Sequence, residues 1–479
     1  MFSNNSPSPR PHQSAKVDLT AADSTPIVPW LRLRRWSPIH YDDWRNDGAS
    51  APIAILIVLL SVAIYIPFLT LPPLPDDYLQ VTLARTYGPV SAWGALAKDP
   101  LYRSRATSLV LTYWTDILFG FSRLALGVSS ILLHAVNALL VYALGAARRI
   151  GWRLSALMAV FFVLQERYHE AVIWYSALPE LLVFCFGLLT LLFWVRWLNS
   201  PKPAALAWVC ALACFCLALL SKESAVSVVL LMLLFVVGAS SQRRRPLLAL
   251  LPFGLLAAVY VVLVFSGQDR NSHFADGTFS LQAGAPMALI GSAIRALWIW
   301  GIVGLIVLLV FASRKRYGLM TLALCWILIA LIPYSFLTYM PRVPSRHHYL
   351  AAVGCSLILA LAATTLRERI GRQWVIGLCA LLIGVHHISY LWAVKYPQFR
   401  ERSEPIEALL RYMRREQRRP VVIRCFPYSI GEARKAVVIR LGEPEASLIL
   451  DTASSNADLP SFCAQDQIKN QAEAHGSRP

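Results

Sequence analysis

The sequence predicts an all-α polytopic membrane protein: a bundle of about eleven transmembrane helices followed by a small α/β tail. Three observations predict it. The chain has 479 residues, 57% hydrophobic and only 15% charged, whereas soluble globular proteins carry about 25% charged residues. Apolar runs recur along the chain at lengths near the roughly 20 residues that a span requires. Between them lie short basic clusters, which hold most of the net charge of +18. Charge so distributed is a topology signal rather than a nucleic-acid footprint. No glycine-rich phosphate loop and no nucleic-acid motif is present, so no nucleic-acid partner is expected.

The apolar runs fall at about 51–71, 124–147, 154–165, 178–195, 204–220, 224–239, 247–266, 285–311, 318–338, 349–366 and 373–393. Arg148, Arg149 and Arg153, then Arg196 and Lys202, then Arg243, Arg244 and Arg245, then Arg314, Lys315 and Arg316, then Arg367, Arg369 and Arg372 occupy every second loop. The head, residues 1–50, is also basic, polar and proline-containing, and reads as a largely disordered cytoplasmic segment. The positive-inside rule then places the N-terminus in the cytoplasm and, after eleven spans, the C-terminus outside. The first apolar run lies too far from the start, and is too long, for a secretory signal; it reads as an uncleaved span. Three regions follow: a head at 1–50, a transmembrane domain at 51–393 and an extracytoplasmic tail at 394–479.

The remaining loops share the outer side and carry the chemistry. "LPPLPDDYLQ" follows the first span and sets Asp76 beside Asp77. Two adjacent carboxylates repel and are costly to desolvate near a membrane. They read either as acid/base chemistry or as the cap of a short helix "DDYLQVTLARTY", since Asp is favoured at helix starts. The third run, "LSALMAVFFVLQ", has only twelve residues. At 1.5 Å per residue it covers roughly 18 Å of a core about 30 Å thick. Glu166, Arg167, His169 and Glu170 therefore fall at membrane depth, where charges pair or line a water-filled cavity. Lys222 and Glu223 sit in a tight turn between two short runs, and Lys222 is on the side the positive-inside rule depletes. Span lengths alone thus predict a polar cavity open to the outside.

Several segments carry a family resemblance, in order. They are "DDY" after the first span, "LYRSRATSLVLTYWTDILFG", "ILLHAVNALLVYAL" with His134 and Asn137, "HEAVIWYSALPELL" with Glu170 and Glu180, "LLSKESAVSV", and "SRHHYLAAVG" with Arg346, Tyr349 and Gly354. With them the chain resembles the GT-C superfamily of membrane glycosyltransferases over about residues 50–390. It is most similar to the polyprenyl-phosphate-sugar-dependent protein O-mannosyltransferase-like proteins. It departs from that pattern at "QERY", where histidines are usual, at "SAL" for S-G-R, and in lacking a tetratricopeptide period after the last span.

The resemblance implies a donor sugar on a polyprenyl phosphate, an acceptor outside the cytoplasm and a bacterial inner membrane. No cofactor is required beyond the lipid-phosphate sugar as donor substrate, and a divalent metal stays open. The chemistry needs a base for the acceptor hydroxyl and cations for the leaving phosphate. Asp76 is the expected base, with Asp77 orienting the acceptor or the loop. Arg103, Arg105, Lys222, Arg346, His347 and His348 are the expected phosphate-binding cations; anionic lipid headgroups or simple solvation are their other reading, which Lys222 and Arg346 fit less well because they abut spans on the side depleted of positive charge, and the two histidines also fit a metal. His169, Glu170, Glu223 and Tyr349 are expected to line the cavity, with Glu170 positioning the sugar or pairing with Arg167. His134 and Asn137, three apart on one helix face, fit interhelical hydrogen bonding.

Cys210, Cys214 and Cys216 read as packing residues within one span. Cys425 and Cys463 alone fall in the tail, where a disulfide is permitted. The tail opens on "RSEPIEALLRYMRREQRR", an amphipathic basic helix suited to anionic lipid. "PVVIRCF" and "KAVVIRL" alternate like strands, and disorder is expected from about 453. The resulting expectation is an inverting glycosyltransferase. A transporter or flippase of a lipid-linked glycan, or an inactive assembly scaffold, are the other classes the same features allow.

Overall fold

The computed structural model describes residues 50–147, 150–200, 204–239, 244–270, 284–337, 344–451 and 459–464. The predicted head, apart from Ser50, and residues 271–283 and 338–343 of two predicted outer loops lie outside them.

Helices stand at all eleven predicted positions. In chain order the protein runs α1 (Ser50–Tyr65), α2 (Pro75–Tyr87), α3 (Trp93–Lys98), α4 (Ala106–Phe119), α5 (Arg123–Ala143), α6 (Trp152–Leu164), α7 (His169–Ile173), α8 (Leu178–Asn199), α9 (Ala205–Leu219), α10 (Ser227–Ala239) and α11 (Arg244–Phe265). It continues through α12 (Ala285–Phe311), α13 (Arg314–Leu331), α14 (Ala352–Ile370), α15 (Trp374–Tyr390), α16 (Tyr396–Arg415) and α17 (Ile430–Leu441). Among the described residues, seven helical stretches are long and apolar enough to cross a membrane: Ala51–Thr70, Arg123–Ala146, Tyr175–Asn199, Arg244–Phe265, Ala285–Phe311, Arg314–Tyr334 and Trp374–Arg415. Trp152–Leu164, Ala205–Leu219 and Glu223–Val237 are apolar but shorter. The protein is therefore an integral, multi-pass membrane protein, with seven of the eleven predicted spans meeting both criteria of length and hydropathy.

α14 explains one of the missing four. It is almost wholly buried, packed against α6, α12 and α13. Its N-terminal half is small and apolar, while Arg367, Glu368 and Arg369 end it. Small residues let helix backbones approach closely. A Cβ on Gly354 would lie 2.5 Å from the Ala323 carbonyl oxygen, so this crossing requires glycine. On the other side of the bundle α5 packs against α1, α6 and α8. Its His134 Nδ1 lies 2.7 Å from the Tyr349 hydroxyl, and Asn137 Nδ2 donates to the Leu181 carbonyl at 3.0 Å. These are the interhelical bonds that the three-residue spacing predicts.

The tail departs from its sequence reading in four ways. α15 continues through a π-turn at Leu391–Lys395 straight into α16, a helical stretch of 42 residues. The apolar face of α16, Ile406, Leu409, Leu410 and Met413, is buried within the tail's own core rather than left for lipid. The reason is a sheet beneath it: β1 (Val421–Cys425) lies between β2 (Leu448–Leu450) and β3 (Ser461–Cys463), both parallel to it. "KAVVIRL" is the second half of α17, not a strand. Ser429 and Glu432 form a reciprocal capping box that starts this helix. Ala433, Ala436 and Val437 then fall on one buried face at helical spacing. β3 lies beyond residue 453, where disorder was expected; it is drawn into the sheet by pairing with β1 and by the Cys425–Cys463 disulfide. Residues 452–458 and 465–479 lie outside the described residues.

Candidate functional site

α2 carries the acidic pair. Leu74 is extended and Pro75 begins the helix, where a missing N–H costs nothing. Asp77 occupies the third helical position and reaches back: its Oδ2 accepts from the Leu74 N–H at 2.9 Å. Its Oδ1 accepts from the Ser176 N–H, also at 2.9 Å. Asp77 is fully buried. Burial pushes its carboxyl up to about 6, against the opposing pull of Arg123 and the two backbone donors, with Asp76 adding to the rise. Both its oxygens are thus committed to the backbone, and the helix-cap role predicted as an alternative is filled by Asp77. Asp76, one residue earlier, is half-exposed.

Three contacts fix α2 in place. Arg85 grips Asp116 of α4 with two donors, Nε to Oδ2 at 2.7 Å and Nη2 to Oδ1 at 3.0 Å. The hydroxyl of Thr112 accepts from Gln80 at 3.2 Å and from Tyr175 at 3.1 Å. Arg123 joins the two strands of chain flanking the pair. Its Nε donates to the Leu71 carbonyl at 3.2 Å and its Nη2 to the Ile173 carbonyl at 3.0 Å. Arg123 was not singled out from the sequence.

The segment from His169 to Ser176 then brings cations to the pair. The Glu170 carboxylate accepts from the Arg346 N–H at 3.3 Å. It does not pair with Arg167, which instead meets Glu166. Chain geometry explains this: Arg167 stays with its immediate neighbour and lies over the Trp298 ring, 4.3 Å from the centroid. Trp174, between Glu170 and Ser176, is faced by Arg346 at 4.8 Å and by Arg402 of α16 at 4.6 Å. The tail adds more to this face. Tyr428 donates from its hydroxyl to the Arg402 carbonyl at 2.6 Å. Glu432 of α17 lies beside the Asp76 carboxyl, and burial together with that neighbour pushes it up to about 7.

The other predicted cations are placed differently. Lys222, His347 and Tyr334 converge on Glu180: the lysine ammonium forms an ion pair with it, His347 Nδ1 lies 2.6 Å from Oε1, and the tyrosine hydroxyl donates to Oε2 at 2.6 Å. His347 also stacks on Tyr334, with centroids 4.2 Å apart. A buried carboxylate must be paired, so Lys222 and His347 face inward as its partners rather than standing free for phosphate. His348 is buried against the Pro344 and Ser292 carbonyls, 3.2 Å and 3.3 Å away, and belongs to packing. Tyr349 does not line a cavity: it is buried among Phe162, Tyr168 and Phe184, with its hydroxyl held by His134 and, at 3.3 Å, Asn137. His169 is likewise closed off, its Nδ1 2.7 Å from the Glu166 carbonyl oxygen.

Glu223 accepts from the Ser104 hydroxyl at 2.9 Å. Arg105, beside it in sequence, lies close enough to Lys222 to oppose its charge. Arg103 donates to the Leu263 carbonyl. Of the predicted cations, Arg346 is the one that meets the segment whose Ser176 holds Asp77, through Glu170 and Trp174. Trp174 and Arg402 were not singled out from sequence, and Glu180 was named only within the family resemblance, with no role. Glu180 was visible as the one carboxylate inside a predicted span. Arg402 gave no signal, since it sits in a run of tail arginines. Among the described residues no three His, Cys, Asp or Glu side chains come together as a metal's ligands would; Asp76 and Glu432 make two carboxyls.

The fold is similar to that of two solved membrane proteins and agrees with the GT-C fold expected from the sequence. Two solved structures define the likeness. One is ArnT from Cupriavidus metallidurans, with a TM-score of 0.52, 12% identity, and coverage of 90% of this chain and 89% of that one. The other is the oligosaccharyltransferase AglB from Archaeoglobus fulgidus, in complex with an inhibitory peptide and a dolichol-phosphate. Its TM-score is 0.51, with 15% identity over 84% of this chain. The chain spans 65% of the AglB chain it matches. No family model and no curated sequence matches the chain.

Proposed function

We propose that the protein is an inverting glycosyltransferase that moves a sugar from a polyprenyl-phosphate donor to an acceptor hydroxyl on the extracytoplasmic side of the membrane. In this reading the acceptor oxygen attacks the anomeric carbon from the face opposite the phosphate. The anomeric C–O bond to phosphate breaks, its electron pair stays on the phosphate oxygen, and the acceptor proton passes to Asp76. Arg346 meets the charge that develops on the phosphate. Asp77 holds the loop, and Lys222 with Glu180 and His347 braces the helices behind it.

The observation that carries the reading is the division of labour in the acidic pair. Asp77 has both oxygens tied to the backbone, which leaves the half-exposed Asp76 as the carboxylate of the pair that can take a proton from solvent or substrate. The likeness to GT-C structures supports the fold in which such a loop works.

The test uses purified protein in detergent, polyprenyl-phosphate sugars and an acceptor extract from cells lacking the protein. Release of free polyprenyl phosphate with a glycan mass gained by the extract is the expected result, abolished in Asp76→Asn. A lipid-linked glycan that crosses a vesicle bilayer with its anomeric bond intact would assign the chain to transport instead.

A further inference from the structure

Trp174 is an unusual residue to find between two arginines. The guanidinium carbons of Arg346 and Arg402 lie 4.8 Å and 4.6 Å from the centroid of its ring. Arg346 comes from the loop before α14 and Arg402 from the tail helix α16, 56 positions later in the chain. Cations within about 6 Å of an indole face are attracted by its ring electrons, but two of them repel each other. Among the described residues neither guanidinium is within ion-pair distance of a carboxylate, although Glu170 accepts from the Arg346 backbone. The Nε1–H of Trp174 is itself buried and has no acceptor among the described residues. Ser176, two residues further, holds Asp77. Two half-buried arginines and an orphaned indole donor therefore meet at one residue, two positions before the Ser176 N–H that holds Asp77. That is the donor set for a phosphate group: planar forks match its oxygens, and an anion removes the repulsion between them.

We propose that Arg402 of the tail and Trp174 complete, with Arg346, the subsite for the phosphate of the lipid carrier, so that the tail is part of the donor site rather than an appendage. The proposal rests on the glycosyltransferase reading above. It assigns to the tail a substrate-binding residue, and it explains why α16 runs on from α15 without a flexible break: a rigid connection holds Arg402 over a ring fixed in another part of the chain.

The test is binding of a short-chain polyprenyl monophosphate to the full-length protein in detergent. Wild type is compared with Arg402→Gln, Arg402→Lys, Arg346→Gln and Trp174→Phe, with inorganic phosphate as competitor and phosphatidylglycerol vesicles as the lipid control. Arg402→Gln is expected to weaken polyprenyl phosphate binding at least tenfold, and Arg402→Lys to recover only part of it, because lysine keeps the charge and loses the fork. Trp174→Phe keeps a ring but removes the N–H, and is expected to cost several-fold. Unchanged trypsin resistance of the tail in Arg402→Gln confirms that it is still docked. Full binding in Arg402→Gln with loss in Arg346→Gln overturns the role of the tail and leaves the enzyme reading standing. No polyprenyl phosphate binding in wild type overturns both. Equal binding to phosphatidylglycerol vesicles, weakened in the same variants, overturns the carrier assignment and makes the pair an anchor for bulk headgroups.

Discussion

The Asp77 carboxylate accepts a hydrogen bond from the Ser176 N–H at 2.9 Å, across 99 positions of sequence. Its other oxygen takes the Leu74 N–H at the same distance. One buried side chain thus ties the start of α2 to the loop that carries Glu170 and Trp174. Two substitutions that look alike therefore differ. Asp77→Asn leaves one acceptor oxygen and turns an amide NH2 toward a backbone N–H. Leaving a buried donor unsatisfied costs about 1–3 kcal/mol, so its melting temperature should drop. Asp76→Asn should melt with the wild type and lose about 10²–10⁴-fold in transfer rate. Thermal scans in detergent beside transfer assays separate the two; a normal rate in Asp76→Asn would remove it as the base.

Lys222 and Glu180 provide a second separation. If the pair is a brace, Lys222→Met strands a buried carboxylate and should cost about 3–5 kcal/mol. The double change Lys222→Met with Glu180→Gln should recover most of that stability, because the unpaired charge is gone. A thermodynamic cycle on the four proteins measures the coupling. If Lys222→Met instead left stability intact and abolished donor binding alone, the lysine would be a phosphate ligand and Glu180 its holder.

Glu432 makes tail docking pH-dependent. Its carboxyl is pushed from 4.5 up to about 7 by burial and by Asp76. An acid whose value rises on folding binds its proton more tightly in the folded protein. Its contribution to docking is complete below about pH 4.5 and is lost as pH rises through about 7. Asp77, raised from 3.8 to about 6, acts in the same direction over a lower window. Hydrogen exchange in α17 should therefore be slower at pH 5 than at pH 8. Glu432→Gln, which cannot ionise, should remove most of that difference, leaving the smaller part owed to Asp77.

These residues also mark how far the sequence could be read. The apolar runs predicted the helices because length and hydropathy are local properties. Asp76, Asp77 and Arg346 stood out because charge beside a span is costly, so its presence needs a cause. α14 hid part of its character, since a helix buried among helices needs small residues rather than long apolar ones. α17 was misread because "KAVVIRL" is β-branched at the very positions where Ser429, Glu432 and a buried face decide for helix. Tyr349, His348 and His347 looked available because a sequence does not say which side chains a bundle closes over. Arg402 was invisible for the opposite reason: nothing local distinguishes it from Arg400 or Arg411, and only the ring of Trp174, brought from residue 174 by the fold, does.

The tail offers the sharpest test of orientation. Cys425 and Cys463 are joined, and the bridge ties the end of β1 to the end of β3, closing a loop of 38 positions that carries α17 and β2. A disulfide is stable in an oxidising compartment and rare in the cytoplasm. The alternating arginine clusters predict a tail outside, so the two features make one joint expectation. In intact cells a membrane-impermeant maleimide should not label the tail cysteines until an impermeant phosphine reduces them, and should then label both. Replacing both with serine should destabilise the tail by about 2–4 kcal/mol, read as earlier cleavage after Arg residues of α16 and α17, while the helices of the membrane region stay protected. Because α16 carries Arg402, the same change should also weaken polyprenyl phosphate binding. Labelling only after the cells are lysed would put the tail in the cytoplasm, reverse the orientation of every span, and place the acidic pair on the side from which an extracytoplasmic acceptor is out of reach.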